Sequence, residues 1–119
     1  MNIFILPFSS SDTTLAVVGG KGLNLSRMAR AGFLVPPGFL ITTAAYRAFV
    51  QANDLQAQIV RLTTDQTKTV DEISAAIHLL FERGGIPPEV AATIQSAYAE
   101  LLRASGDESY WRWCGIWNR

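Results

Sequence analysis

Between residues 19 and 38 the chain is punctuated in a way that leaves few folding options. Gly19-Gly20 stands directly before Lys21, and a further glycine, Gly22, follows it. From Lys21 the spacing of Leu23, Leu25, Met28, Ala29 and Ala31 predicts an amphipathic helix of about three turns. Gly32 is placed to end that helix in the left-handed conformation. Val35-Pro36-Pro37-Gly38 cannot continue it, because two prolines lack a donor and hold φ fixed. Phe39-Leu40-Ile41 then reads as a short, wholly apolar strand. A glycine turn that opens a helix, followed by a proline break and a strand, is the layout of an anion-binding loop on a small α/β scaffold.

The rest of the chain is mostly helical in its periodicity. Residues 2–8 form an apolar run ended by Pro7 and the polar cluster Ser9-Ser10-Ser11-Asp12, the pattern of a buried strand and a loop. Residues 15–18 are a brief apolar approach to the glycine pair. Thr42 or Thr43 suits the N-cap of a helix whose apolar face carries Ala45, Tyr46, Phe49 and Val50. Asn53-Asp54 breaks it, and Leu55, Ile59, Val60 and Leu62 predict a further short helix. After a polar loop over 63–69, Val70, Ile73, Ile77, Leu80 and Phe81 have helical spacing that ends at Gly84-Gly85. Ile86-Pro87-Pro88-Glu89 opens the last helix, with proline and acid suited to its first turn and Val90, Ile94, Ala97, Tyr98, Leu101 and Leu102 as its buried stripe. Two or three short strands do not make a self-sufficient sheet, so the chain reads as one lobe of something larger.

Composition sets the outer limits. Of the 119 residues 49% are hydrophobic and 17% charged, which favours a folded core over disorder. Ten basic residues balance ten acidic ones, so neither nucleic acid nor a membrane is expected as a partner, whereas a small anion needs only a local positive site. No run reaches the ~18–20 apolar residues of a membrane span. One cysteine, Cys114, allows no internal disulfide and points to a reducing, cytoplasmic setting.

Residues 110–119 differ from everything before them, holding all three tryptophans (Trp111, Trp113 and Trp117) and the cysteine. They read either as an aromatic patch that seeks a partner or as a frameshifted end. Tryptophan has a single codon, so the alternative frames are largely determined. Read two bases onward, the codons from Tyr110 permit Leu-Ala-Val-Val-Arg. Read one base onward, those from Ile116 permit Ser-Gly-Thr.

The chemistry-bearing candidate is Gly19-Gly20-Lys21-Gly22. Glycines let backbone amides approach an anion, the helix N-terminus adds partial positive charge, and Lys21 supplies a full charge and three donors to a phosphate oxygen. The GxxxxGK[ST] spacing of a P-loop is absent. Four residues also fit a tight turn with a solvated lysine. His78, flanked by Ile77, Leu80 and Phe81, reads as an ordinary, partly buried helix residue. The acids Asp71, Glu72, Glu82, Glu89, Glu100, Asp107 and Glu108 have no metal-ligand spacing, and Val35–Gly38 as a proline-rich ligand is less apt than as a rigid connection.

The longer stretch carries more. Gly-Gly-Lys-Gly-Leu-Asn-Leu, then Ala-Gly-Phe-Leu-Val-Pro-Pro-Gly-Phe and Ile-Thr-Thr-Ala-Ala-Tyr, resembles the N-terminal ATP-binding domain of the phosphoenolpyruvate synthase and pyruvate phosphate dikinase family, a domain shared with rifampicin phosphotransferase. The resemblance runs from about Leu15 to Ser109 and is strongest over 19–50. It implies a partial ATP-grasp N-terminal lobe, with Lys21 as a contact to ATP phosphates and Gly19, Gly20 and Gly22 as its supporting turn. The family's next motif, a strand ending in Ala-Val-Arg-Ser-Ser and then Thr, is expected just after Ser109, where the printed frame lacks it and the alternative frames approach it. Neither Arg112 nor Arg119 sits in that motif, so neither takes its arginine's role.

In such enzymes, the resemblance implies, ATP with Mg2+ phosphorylates a histidine on a swivelling domain and the phosphoryl group passes on to pyruvate. This chain offers no ligands for Mg2+ and lacks the phosphohistidine motif and the barrel domain. The expectation is therefore a truncated ATP-binding fragment over 1–109 with an aberrant tail over 110–119. It should be inactive alone, with a separately encoded remainder of the enzyme as one conceivable partner. The alternative is a non-catalytic helical interaction module that uses its Trp-rich tail.

Overall fold

A computed structural model describes residues 3–105. The tail over 110–119, with its two readings, lies outside the described residues. Seven elements follow in chain order: β1 (Ile5–Pro7), α1 (Leu15–Arg30), β2 (Phe39–Ile41), α2 (Thr43–Ala52), α3 (Leu55–Thr63), α4 (Val70–Arg83) and α5 (Pro88–Ser105). The described chain is mostly helical with one small sheet, compatible with the expected α/β class. Two strands are present among the described residues, paired antiparallel as Ile5↔Ile41, Leu6↔Leu40 and Pro7↔Phe39. Pro7 cannot donate to the ladder, which suits the end of a strand.

The strand pair is closed by Thr42. Its amide donates to the Phe4 carbonyl at 2.9 Å, and its hydroxyl donates to the Ile3 carbonyl. Thr42 is the N-cap residue of α2, as the sequence predicts, but its side chain makes no cap bond. The hydroxyl is spent on the neighbouring strand instead.

Helix α1 departs from expectation at both its start and its face. It begins at Leu15 rather than Lys21, because Thr14 in extended geometry accepts from Val17 and Val18 at 3.1 and 3.0 Å. A single turn of four apolar residues has no period to read, so its helical character is invisible in the sequence. Gly19, at φ 72° and ψ 176°, then interrupts the helical path, and a second segment starts afresh at Gly20. The buried residues of α1 are Gly22 and Ser26. Leu25 and Met28, expected inside, are exposed. At Gly22 a small residue wins because the helix lies close on β2: a Cβ built there would sit 3.0 Å from Val18 Cβ and 3.3 Å from Leu40 Cδ2.

The end of α1 matches its prediction. Gly32 has φ +87°, its amide donates to Ala29 at 3.3 Å, and the Phe33 amide donates to Met28 at 3.2 Å. Those two bonds are the paired closure of a Schellman turn, which needs glycine at the left-handed position.

The remaining helices pack in sequence, α1 on α2, α2 on α3 and α3 on α4, with α5 returning to β1. Leu40, Ala45, Val50, Leu55 and Val90 are the buried apolar residues. Beside them Phe81 stacks on Phe49 at a centroid distance of 5.6 Å and on Tyr46 at 6.1 Å. Tyr46 nevertheless keeps much of its surface in solvent, as do Val60 and Val70, all three expected inside. Val70 is the first residue of α4, before any neighbouring helix covers it. The Asn53-Asp54 break is real: Asp54 is left-handed (φ 51°), and the Asn53 side chain brackets Gly85, donating to its carbonyl at 2.9 Å and accepting from its amide at 2.8 Å. Helix α4 starts with a capping box, Glu72 amide to Thr69 Oγ1 at 3.2 Å and Thr69 amide to Glu72 Oε2 at 2.8 Å.

Candidate anion-binding site

The four residues of the predicted turn have separate structural duties. Gly19 carries the conformational load, since φ 72° is strained for any residue with a Cβ. Gly20 has an ordinary φ, and nothing lies within 4 Å of where its Cβ would be. No contact inside the described chain therefore requires glycine at 20, although glycine there costs about 1 kcal/mol relative to alanine in a helix. Lys21 is exposed on the first turn after the break. Gly22, one residue on, is buried against Val18 and Leu40. A rotation of about 100° per residue makes this sequence of duties unavoidable: with Gly22 toward the sheet, Lys21 stands on the flank.

The turn is held from both sides. On its N-terminal side the Thr43 hydroxyl donates to the Ala16 carbonyl at 2.7 Å, tying the start of α2 to the first turn of α1. On its C-terminal side Ser26, with no exposed surface, shares a hydrogen bond of 2.8 Å between its Oγ and Thr13 Oγ1. Both hydroxyls also reach the Ser10 carbonyl, at 3.4 Å from Ser26 and 3.3 Å from Thr13. The loop before α1 is thereby fastened to the helix that follows the break.

Thr13, Ser26 and Thr43 escape a reading based on charge and glycine, because each acts through a neutral hydroxyl. A signal for Ser26 does exist. Gly22 and Ser26, both small, stand four apart on the segment after the break, the spacing of one helix face.

The turn has three features that an anion site would use: a helical segment restarts at Gly20, nothing lies within 4 Å of where a Gly20 Cβ would be, and the next residue, Lys21, is exposed. The other candidates are not brought to this turn. His78 lies on α4 and is exposed, rather than partly buried as expected, because Ile73 and Ile77 take the inner side. Among the described residues no group of three or more His, Cys, Asp or Glu could hold a metal ion. No described helix is long and apolar enough to cross a membrane.

A helix broken by glycine lies on a two-stranded sheet and presents an exposed lysine at the restart. In comparison with known proteins, residues 15–112 match the family model described as the pyruvate phosphate dikinase, AMP/ATP-binding domain. The chain belongs to this family.

Curated relatives include a probable phosphoenolpyruvate synthase of Staphylothermus marinus, 38% identical over 98 residues that cover 79% of this chain and 12% of the relative. The phosphoenolpyruvate synthase of Pyrococcus furiosus is 30% identical over 134 residues, covering 82% and 16%. A rifampicin phosphotransferase of Streptomyces sviceus is 38% identical over 93 residues, covering 74% and 11%. The chain thus spans between 9% and 16% of the length of such relatives.

Proposed function

We propose that residues 19–22 form the ATP-phosphate loop of a phosphoenolpyruvate synthase or pyruvate phosphate dikinase type domain, with Lys21 as the phosphate contact and Gly20 as the point of closest backbone approach. The observation that carries this reading is the open Gly20 beside Lys21 at a helix restart, within a chain of an AMP/ATP-binding family. In this reading Gly19 supplies the turn and Gly22 seats it on the sheet. The described elements act as part of an ATP-grasp N-terminal lobe, working in the cytoplasm. ATP, when bound, would supply the transferable phosphoryl group. The chain's own contribution is to hold phosphate oxygens and neutralise part of their charge.

Such a site is weak by itself. One charge-assisted contact contributes ~1.5–3 kcal/mol and a helix N-terminus ~0.3–1 kcal/mol. Their sum corresponds to a Kd of about 1–50 mM. The chain alone is expected to bind ATP feebly and to leave it intact. Titration with ATP followed by amide chemical shifts tests the reading: shifts centred on 19–22, lost in Lys21→Ala, are the expected result. Steady hydrolysis of ATP by the purified chain, or micromolar affinity that Lys21→Ala leaves unchanged, would overturn it. The same titration separates the second reading, an interaction module with no nucleotide role, which expects no shifts at these amides. That reading is favoured by the apolar surface exposed between α2 and α5.

A further inference from the structure

The break in α1 leaves a carbonyl in need of a donor. In an unbroken helix the Gly20 amide would donate to the Ala16 carbonyl, across residues 17, 18 and 19. That bond needs helical dihedrals at all three, about −63° in φ and −42° in ψ. Gly19 stands instead at φ 72° and ψ 176°, so the Gly20 amide is turned out of line with Ala16. Carbonyls just before such a break are orphaned in the way of any helix end.

The Thr43 hydroxyl takes the place that the amide leaves. It donates to the Ala16 carbonyl at 2.7 Å, from a residue 27 positions away. Thr63, Thr64 and Thr93 show what a helical threonine ordinarily does: their hydroxyls donate back one turn, to the Ile59, Val60 and Glu89 carbonyls at 3.0, 2.8 and 2.8 Å. Thr43 is the first residue of α2 and has no preceding helical turn to receive its hydroxyl.

Its position is fixed from elsewhere. Thr42, one residue before, is buried and bonded through its amide and hydroxyl to the Phe4 and Ile3 carbonyls. Ala45, two residues after, is buried in the core. A β-branched side chain on so fixed a backbone has few rotamers, which holds the hydroxyl where Ala16 meets it.

The glycine at 19 gives this contact its consequence. Glycine adopts helical dihedrals as readily as left-handed ones. Were the Ala16 carbonyl left without a donor, a helical Gly19 would let the Gly20 amide bond it, and the two segments would run on as one helix. That closure would withdraw the Gly20 amide from any ligand. The Thr43 hydroxyl satisfies the carbonyl and removes most of the gain from closing.

We propose that Thr43 is a positioning residue of the phosphate loop: its hydroxyl occupies the Ala16 carbonyl and so keeps α1 broken at Gly19, with the Gly20 amide turned out for an incoming phosphate. The proposal rests on the nucleotide reading of residues 19–22. Thr43 itself touches no ligand in this account.

The test compares Thr43→Val, which keeps the branched shape and removes the donor, with Thr43→Ser, which keeps the donor. Magnetic resonance of the full chain gives two readouts. Without nucleotide, the water exchange of the Gly20 amide should slow several-fold in Thr43→Val, and the Gly19 Cα shift should move toward helical values. At a fixed ATP concentration below saturation, the ATP-induced shifts at 19–22 should fall by about 2- to 10-fold, the equivalent of one hydrogen bond. Thr43→Ser should restore both readouts. Thr69→Ala, a destabilising change at the start of α4, should move neither, which separates positioning from a general loss of stability.

Gly20 exchange left at its parental rate by Thr43→Val would overturn the proposal, and so would unchanged ATP shifts where the parent shows them. A Thr43→Ser protein that behaves like Thr43→Val would do the same. A parent chain without ATP-induced shifts overturns the nucleotide reading instead, and the Gly20 exchange rates then still decide whether Thr43 holds the break.

Discussion

Gly22 of α1 lies against Leu40 of β2 so closely that a single added carbon would stand 3.3 Å from the leucine Cδ2 and 3.0 Å from Val18 Cβ. This contact positions the candidate site. It sets the rotation of the helix about its axis, and with it the side on which Lys21 emerges, one residue earlier. The neighbouring glycines bear different loads, and substitution separates them.

Gly22→Ala should destabilise the protein by about 1–3 kcal/mol, the usual effect of forcing a carbon into a closed contact. Gly20→Ala should do the reverse, raising stability by up to about 1 kcal/mol through helix propensity. The same Gly20→Ala change should diminish the ATP-induced shifts at 19–22, because the methyl group occupies the approach. Urea denaturation of the three proteins decides the first part. A Gly22→Ala protein as stable as the parent would refute the account of that contact.

Ser26→Ala should cost about 1–3 kcal/mol, since the Thr13 hydroxyl then loses its 2.8 Å partner in a buried place. Thr13→Val should cost a similar amount. The double variant should fall well short of the sum, because both changes remove one shared bond. Additive losses in a denaturation cycle would mean that the two hydroxyls are not coupled.

Thr69→Ala removes one half of the capping box at the start of α4 and is expected to cost about 1 kcal/mol. Thr69→Ser keeps the accepting hydroxyl and should restore most of it. Loss of helical signal on heating, compared among the three proteins, gives the ranking.

Asp65 provides a pH-dependent reporter in the loop between α3 and α4. The Thr67 hydroxyl and then the Thr67 amide donate to its carboxylate and hold its pKa below the ordinary aspartate value, with Lys68 adding a smaller pull in the same direction against slight desolvation. A depressed folded pKa favours the folded state above the unfolded pKa, and this contribution fades as pH falls through the folded value. Carbon-detected titration of the Asp65 carboxyl should show the low value, and Thr67→Val should raise it toward normal. An unshifted titration in the parent protein would contradict this arrangement.

Several parts of the fold were legible in advance because they depend on a few adjacent residues. Gly32 ends α1 through its own left-handed dihedral, Pro36-Pro37 cannot be helical in any surroundings, and Pro88 at the first position of α5 surrenders a donor that the helix does not use. The stacking of Phe81 on Phe49 and Tyr46 was not legible, nor was the use of Thr42 to close the strand pair on Ile3. Those contacts join residues more than thirty positions apart.

The candidate site divides along the same line. The ordered motifs from Gly19 to Tyr46 were enough to indicate the family and to single out Lys21, because glycine spacing and a lysine at a helix start are local chemistry. Which way α1 faces was decided only in three dimensions. Hydrophobicity alone favours burying Leu25 and Met28, yet the close approach of α1 to Leu40 takes Gly22, and the loop before α1 takes Ser26 through Thr13 and the Ser10 carbonyl. Steric fit at that contact overrides the apolar pattern, exposes the leucine and methionine, and leaves Gly20 open beside Lys21.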